Sequence, residues 1–232
     1  MQFVIGGVQK TSLLDYPDKI SAIVFTQGCN FRCGYCHNPE LLQKNSENDI
    51  YNVDVFFEFL EKRKGKLDGV VITGGEPTLQ KDLKLFIKKI KEMNYLVKLD
   101  TNGTNPHILE ELINENLVDY IAMDIKSPLD KYSKITNSEV NTEKIQRSIK
   151  LILNSNIDYE FRTTVISSQL TINDFEKIAK LLKGAKKYYL QKFNSKNKIL
   201  DETLIDEKTF TDVQFQKAID ILKYTIPTVE LR

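Results

Sequence analysis

The sequence predicts an α/β fold: a partial (β/α)6, TIM-like barrel of parallel strands, with a short N-terminal extension and a C-terminal helix. Three observations predict it. Short apolar, β-rich runs alternate six times with helical or polar segments along the 232 residues. The connections between successive runs are too long for hairpins, which makes the strands parallel. Six units are too few for the usual eight-stranded barrel, which leaves an open one.

The elements follow in order. Phe3 to Val8 alternates weakly and carries Gly6-Gly7, and it reads as a short strand and turn. Asp15-Tyr16-Pro17-Asp18 is a turn signal. Ile20 to Thr26 is a short apolar run, the mark of a buried strand. A helix is expected over Val53 to Lys64, with Phe56, Phe57 and Leu60 on one face. Gly69 to Thr73 is the second strand, and Leu83 to Met93 an amphipathic helix whose lysines form a solvated face. Tyr95 to Leu99 is the third strand. Pro106 to Asn116 is a helix, with proline suited to its first turn. Val118 to Ile125 is the fourth strand, and Leu129 to Thr142 reads as a long loop. Glu143 to Asn154 is a helix, Tyr159 to Ile166 the fifth strand, Ile172 to Leu182 a helix and Tyr188 to Phe193 the sixth strand. Thr211 to Tyr224 reads as a closing helix and Ile226 to Leu231 as a terminal strand or extended tail. No linker or repeat interrupts the chain, so one domain is expected over residues 1–232, with a core at 18–193 and an extension at 194–232.

Composition bounds the function classes. Hydrophobic residues make up 41% and charged residues 28%, which is ordinary globular chemistry. The formal net charge of +1 gives no electrostatic case for nucleic acid or a membrane surface. The chain has no apolar run of eighteen residues and no signal-peptide pattern, so a cytoplasmic location is expected.

All three cysteines lie in one stretch, Cys29, Cys33 and Cys36, spaced C-x3-C-x2-C. Thiolates this close suit a soft cation. Cubane iron normally takes four cysteines and closed structural zinc takes four ligands. Three cysteines with no fourth suggest a [4Fe–4S] cluster with one iron open to a non-protein ligand. A zinc centre from the same cysteines with His37 is the alternative, made awkward because the neighbours Cys36 and His37 point apart. His37 could otherwise bond a cluster sulfur or a substrate backbone.

Polar clusters stand at the strand ends. Gly74-Gly75-Glu76-Pro77 follows the second strand, as a plain turn or as backbone that approaches a ligand. Asp100-Thr101-Asn102-Gly103 follows the third, as a helix cap or a ligand-facing rim. Asp124 and Lys126 share one face of the fourth strand. They form either a surface ion pair or an interior pair that needs partners. Arg162 on the fifth strand requires an anion if it points inward. Gln191 and Phe193 lie on the sixth.

The cysteine stretch resembles the signature of the radical S-adenosylmethionine (radical SAM) superfamily. Its flanks, Phe25-Thr26-Gln27-Gly28-Cys29 and Cys36-His37-Asn38-Pro39, are similar to the glycyl-radical-enzyme activating branch. The run Lys10 to Pro17 is similar to that of anaerobic ribonucleoside-triphosphate reductase activating proteins. The resemblance implies that the open iron chelates S-adenosylmethionine and that reductive cleavage gives a 5′-deoxyadenosyl radical. That radical takes a glycine α-hydrogen from a partner, here an anaerobic ribonucleoside-triphosphate reductase, with a flavodoxin or ferredoxin as electron donor. It implies that Tyr35 and Gln191 lie by the adenine. Gly74, Gly75 and Glu76 would receive the methionine ammonium, with Asn102 also at the cofactor. Lys126 and Arg162 would reach the methionine carboxylate. A monovalent cation is implied beside that carboxylate, held by Asp100, Thr101, the carbonyl of Ala122, and Asp124. Asp15 would stand beside a substrate peptide. The rival within the superfamily is an enzyme acting on a small molecule, such as 7-carboxy-7-deazaguanine synthase, which shares the cluster and the GGE-type element.

Overall fold

The computed structural model describes residues 1–43, 51–194 and 198–232. Its centre is one eight-stranded sheet whose spatial order is the chain order. The strands are β1 (Ile5–Ser12), β2 (Ser21–Thr26), β3 (Gly69–Gly74), β4 (Leu96–Thr101), β5 (Tyr120–Asp124), β6 (Asp158–Val165), β7 (Lys187–Lys192) and β8 (Thr228–Leu231). β1 runs antiparallel to β2, and every later pair is parallel. Each crossover therefore steps one strand in the same direction, which curls the sheet. Among the described residues β1 and β8 share no ladder, so the barrel is open on that side.

Strand alternation divides the core in two. Ala22, Val24, Val70, Ile72, Val97, Leu99, Ile121, Met123 and Phe161 point outward and are buried under the helices. The helices are α1 (Val53–Lys62), α2 (Leu83–Glu92), α3 (Pro106–Asn114), α4 (Tyr132–Thr136), α5 (Thr142–Leu153), α6 (Ile172–Leu181) and α7 (Asp212–Lys223). Each long one turns an apolar stripe to the sheet, such as Phe86, Ile87 and Ile90 of α2. The inner face is different. Tyr16, Ile23, Val71 and Tyr120 form a small apolar cluster at its floor, joined by Phe25 and Leu96. Above that floor the inner positions of β4, β5 and β6 carry charge. That combination makes the concave side a site and not a second core.

Four sequence expectations change. The first strand runs to Ser12, and Gly6-Gly7 lies inside it. A Cβ at Gly6 would meet Leu41 and Gln27, so that glycine admits a close approach and makes no turn. The expected loop Leu129 to Thr142 contains the short helix α4, whose Tyr132 is fully buried against Phe31. Tertiary packing, not local propensity, makes that helix. Beyond residue 198, β8 extends the parallel set to seven strands, one more than the pattern counted. The turn bearing Asp15 joins the end of β1 to the start of β2, because Ser12 pairs with Ser21. It therefore sits at the N-terminal rim of the parallel strands. No helix among the described residues is long and apolar enough to cross a membrane.

Candidate active site

The loop after β2 carries all three cysteines. It lies over the C-terminal strand ends, where the inner face opens into a cleft. Cys29, Cys33 and Cys36 line it as free thiols, Cys33 being buried. Several backbone bonds fix the loop. Gly28 and Cys29 donate to Leu41 and Leu42 carbonyls, Arg32 to that of Thr136, and Cys36 to that of Cys33. From the other side Leu200 and Asp201 donate to the carbonyls of Cys36 and Gly34. The Arg32 guanidinium folds back on Cys29 and Phe31 carbonyls at 2.7 and 2.8 Å. Burial pushes the Cys29 thiol up to about 11 and raises Cys33 and Cys36, with Lys126 opposing in each case. Three neutral thiols, one buried and two half-buried, become thiolate ligands when a cation takes their protons' place.

The Gly74-Gly75-Glu76 turn is tied to this loop. Gly75 N–H donates to Thr26 O and Glu76 N–H to Gly28 O, both at 2.8 Å. A Cβ on Gly75 would stand 2.2 Å from Gly28 O, and one on Gly74 would stand 2.4 Å from Thr26 N at φ +110°. The glycines thus let two backbones touch. Gly75→Ala is expected to displace the cysteine loop and lower the iron retained on reconstitution several-fold, read by iron analysis. Retention of full iron would mean that the loop tolerates the displacement.

Glu76 is 1% exposed. Its Oε1 accepts from Thr78 N–H, Thr78 Oγ1 and Thr101 Oγ1, and its Oε2 from Asn102 N–H. A carboxylate has about four acceptor positions, so one on Oε2 is left for a ligand donor. The expected ammonium acceptor is first a tie between the β3 and β4 ends. Asn102 also joins the cysteine loop. Its Nδ2 donates to Asn30 Oδ1 at 2.9 Å, while Asn30 Nδ2 donates to Thr104 Oγ1 at 3.0 Å.

Below the loop lies a chain of charges. Lys98 Nζ donates to Asp100 Oδ1 at 2.5 Å. Arg162 bridges two strands, Nη1 to Asp100 Oδ2 at 3.2 Å and Nε to Asp124 Oδ1 at 2.9 Å. Lys126 Nζ donates to Asp124 Oδ2 at 3.0 Å and lies 5.8 Å from the Tyr35 ring centre. Burial pushes the Asp124 carboxyl up, but Arg162 and then Lys126 outweigh it and hold it well below the usual carboxylate range. Asp100 is also lowered, with Arg162 and Lys98 outweighing burial. Arg162 also lies 3.9 Å from Glu160, which accepts Arg232 at 3.0 and 3.2 Å and Tyr120 Oη at 3.0 Å. Across the joined set four cations face three anions.

The expected site residues sort as follows. Cys29, Cys33, Cys36, Tyr35, His37, Gly74, Gly75, Glu76, Asp100, Thr101, Asn102, Asp124, Lys126 and Arg162 all line the cleft. Arg162 points inward, yet its anions are Asp100 and Asp124. Gln191 and Ala122 do not line the cleft. Ala122 is fully buried in mid-sheet between Asp100 and Glu160, two residues below the rim. Asp15 stands on the opposite rim, about 17 Å away along β2 at the usual rise per residue, and accepts a hydrogen bond from Ser12 Oγ. His37 stacks on Phe193 at 6.2 Å. Among the described residues no three His, Cys, Asp or Glu side chains are grouped to hold a single metal ion. Lys98, Asn30, Thr104, Glu160 and Arg232 were not among the candidates.

Residues 23–182 match the radical SAM superfamily model. The chain belongs to the radical SAM superfamily. Members of this family use a [4Fe–4S] cluster and S-adenosylmethionine. The residues fit both groups. Three soft thiol donors share one cleft, the Tyr35 hydroxyl is buried there without a hydrogen-bond partner among the described residues, and the charge chain lacks one anion. A Methanocaldococcus jannaschii protein bearing the name of a glycyl-radical enzyme activating enzyme is 38% identical over 206 residues, covering 85% of this chain and 82% of its own. The pyruvate formate-lyase-activating enzyme of Clostridium pasteurianum is 31% identical over 128 residues, 53% of this chain and 52% of its own. The crystal structure of a domain of pyruvate-formate lyase-activating enzyme from Bacteroides vulgatus superposes with a TM-score of 0.57 at 19% identity. It covers 71% of this chain and 98% of that one, and supports the fold alone.

Proposed function

We propose that this radical SAM enzyme activates a glycyl-radical enzyme, an anaerobic ribonucleoside-triphosphate reductase, acting as a single cytoplasmic domain with a flavodoxin or ferredoxin as electron donor. The observation that carries the reading is a three-thiol cleft with one unmatched positive charge, set in a laterally open barrel. The 38% identity to a protein named as an activating enzyme supports it.

Each residue then has a physical task. Cys29, Cys33 and Cys36 hold the cluster, and the absence of a fourth cysteine leaves one iron for the cofactor. Lys126 and Arg162 attract the methionine carboxylate, which supplies the missing anion of the charge chain. The free position on Glu76 Oε2 and the adjoining backbone receive the methionine ammonium, with Asn102 buttressing that rim. Tyr35, whose hydroxyl is buried in the cleft, lies by the adenine. When bound, the cluster, carrying one electron from the flavodoxin or ferredoxin, and S-adenosylmethionine would supply methionine and a 5′-deoxyadenosyl radical able to take a glycine α-hydrogen, leaving 5′-deoxyadenosine and a glycyl radical. The open side of the barrel admits a protein loop, and the exposed His37 beside Phe193 stands at its entrance.

The test mixes reduced protein and S-adenosylmethionine anaerobically with each glycyl-radical subunit that the source genome encodes. A glycyl-radical EPR signal on the reductase subunit is expected, with deuterium passing from α-deuterated glycine into 5′-deoxyadenosine. A radical only on another subunit overturns the choice of partner. Turnover of a free small molecule with no radical on any subunit overturns the activating reading.

A further inference from the structure

We propose that the Lys98 ammonium is a built-in substitute for the monovalent cation at this cofactor site, so that S-adenosylmethionine binds without Na+ or K+. The inference rests on the cofactor assigned to the cleft and on nothing about the partner.

The two carboxylates expected to ligate a cation each already accept a cationic donor on both oxygens. Asp100 accepts Lys98 on one oxygen and Arg162 on the other. Asp124 accepts Arg162 on one and Lys126 on the other. The Thr101 hydroxyl donates to Glu76 and accepts from Gly103 N–H at 3.1 Å. Ala122 pairs with Asp100 inside the sheet and does not line the cleft. A further cation there would stand against the three side-chain cations that Asp100 and Asp124 already hold.

Lys98 supplies a positive charge at one of the carboxylates such an ion would serve, Asp100. It is 2% exposed, on the inner face two residues before Asp100, and its ammonium stands beneath that carboxylate. An ammonium group and K+ carry the same charge and are close in size. Unlike the ion, the ammonium is tethered and cannot be washed out. Its far side faces the Tyr120 ring at 5.9 Å, which suits a cation. Charge balance points the same way. Lys98, Arg162, Lys126 and Arg232 exceed Asp100, Asp124 and Glu160 by one, which one methionine carboxylate cancels. A metal cation added to that set would leave the buried cluster of charges positive even with cofactor bound, an arrangement that burial disfavours.

The test uses anaerobic, cluster-loaded protein exchanged into choline chloride, without any partner enzyme. Equilibrium dialysis reads S-adenosylmethionine affinity, and 23Na relaxation reads bound sodium. Wild-type affinity is expected to change less than about twofold when about 100 mM K+ or Na+ replaces choline at equal ionic strength. No protein-bound sodium is expected with cofactor present. Lys98→Met should bind the cofactor at least about fivefold more weakly in choline and recover with K+. A wild-type affinity that falls about fivefold or more on removing K+ and Na+ overturns the proposal, whatever the variant does. A folded Lys98→Met protein indifferent to K+ also overturns it. The wild-type arm decides without any variant, and its failure leaves the activating reading untouched.

Discussion

Cys33→Ala is expected to abolish reductive cleavage of S-adenosylmethionine, not to slow it. Cys33 is the most buried of the three thiols, 7% exposed, and sits centrally in the loop. Its neighbours cannot compensate, because the chain holds no fourth cysteine. Losing one of three thiolates leaves two irons of a cubane without protein ligands, a state that sheds iron. The fall in 5′-deoxyadenosine should reach at least about a thousandfold, since the cofactors and not the side chains perform the hard step. Chromatographic assay of 5′-deoxyadenosine and iron analysis check both parts. The fold should survive, because Cys33 contributes a single thiol to a loop held by backbone bonds from Thr136, Leu200 and Asp201. Cleavage at a tenth of the wild-type rate, by contrast, would show that two cysteines suffice and that the third has another task.

The fold was legible because its signals are local. Each parallel strand is a short apolar run, and each long helix carries an apolar stripe, so period and spacing revealed them without long-range information. The cleft was legible for a related reason. Strand ends announce themselves as polar clusters after apolar runs, as at Gly74-Gly75-Glu76 and Asp100-Thr101-Asn102. What stayed hidden depends on pairing across the sheet. The resemblance set Asp15 beside a substrate peptide, but antiparallel pairing of β1 with β2 carries its turn to the far rim. Ala122 has the same parity as Asp124 but lies two residues lower, roughly 6.6 Å down the strand, level with Asp100, and does not line the cleft. Lys98 was within reach of the reasoning. The same spacing that puts Asp124 and Lys126 on one face puts Lys98 and Asp100 on one face. Apolar neighbours at Val97 and Leu99 made it read as a strand residue. Asn30 and Thr104 gave no signal, because their roles exist only once the loop meets the β4 end.

Arg162→Met tests the centre of the charge chain through stability and pH. The guanidinium is shared by Asp100 and Asp124, so its removal leaves two inward carboxylates with only Lys98 and Lys126. Breaking a buried ion pair from one side costs about 3–5 kcal/mol, because the remaining charge is uncompensated. A loss of that size is expected in urea unfolding near about pH 7. The pH dependence follows from the directions of the shifts. In the wild type burial raises both carboxyls, but their cationic neighbours, Arg162 first, hold them below their ordinary values. The stability they contribute is present above the unfolded carboxylate range, about 3.9, and is lost as pH falls below it. Without Arg162, burial is no longer outweighed and the folded pKa values rise toward or past the unfolded value. The deficit of the variant should therefore be largest at neutral pH and shrink as pH falls toward about 4, where a carboxyl gains a proton. Asp124→Asn in the Arg162→Met background removes one stranded charge and should restore about 1–2 kcal/mol. A deficit that does not vary with pH, or an Asp124→Asn change that deepens it, would place the cost in lost packing of the arginine stem instead of in the two carboxylates.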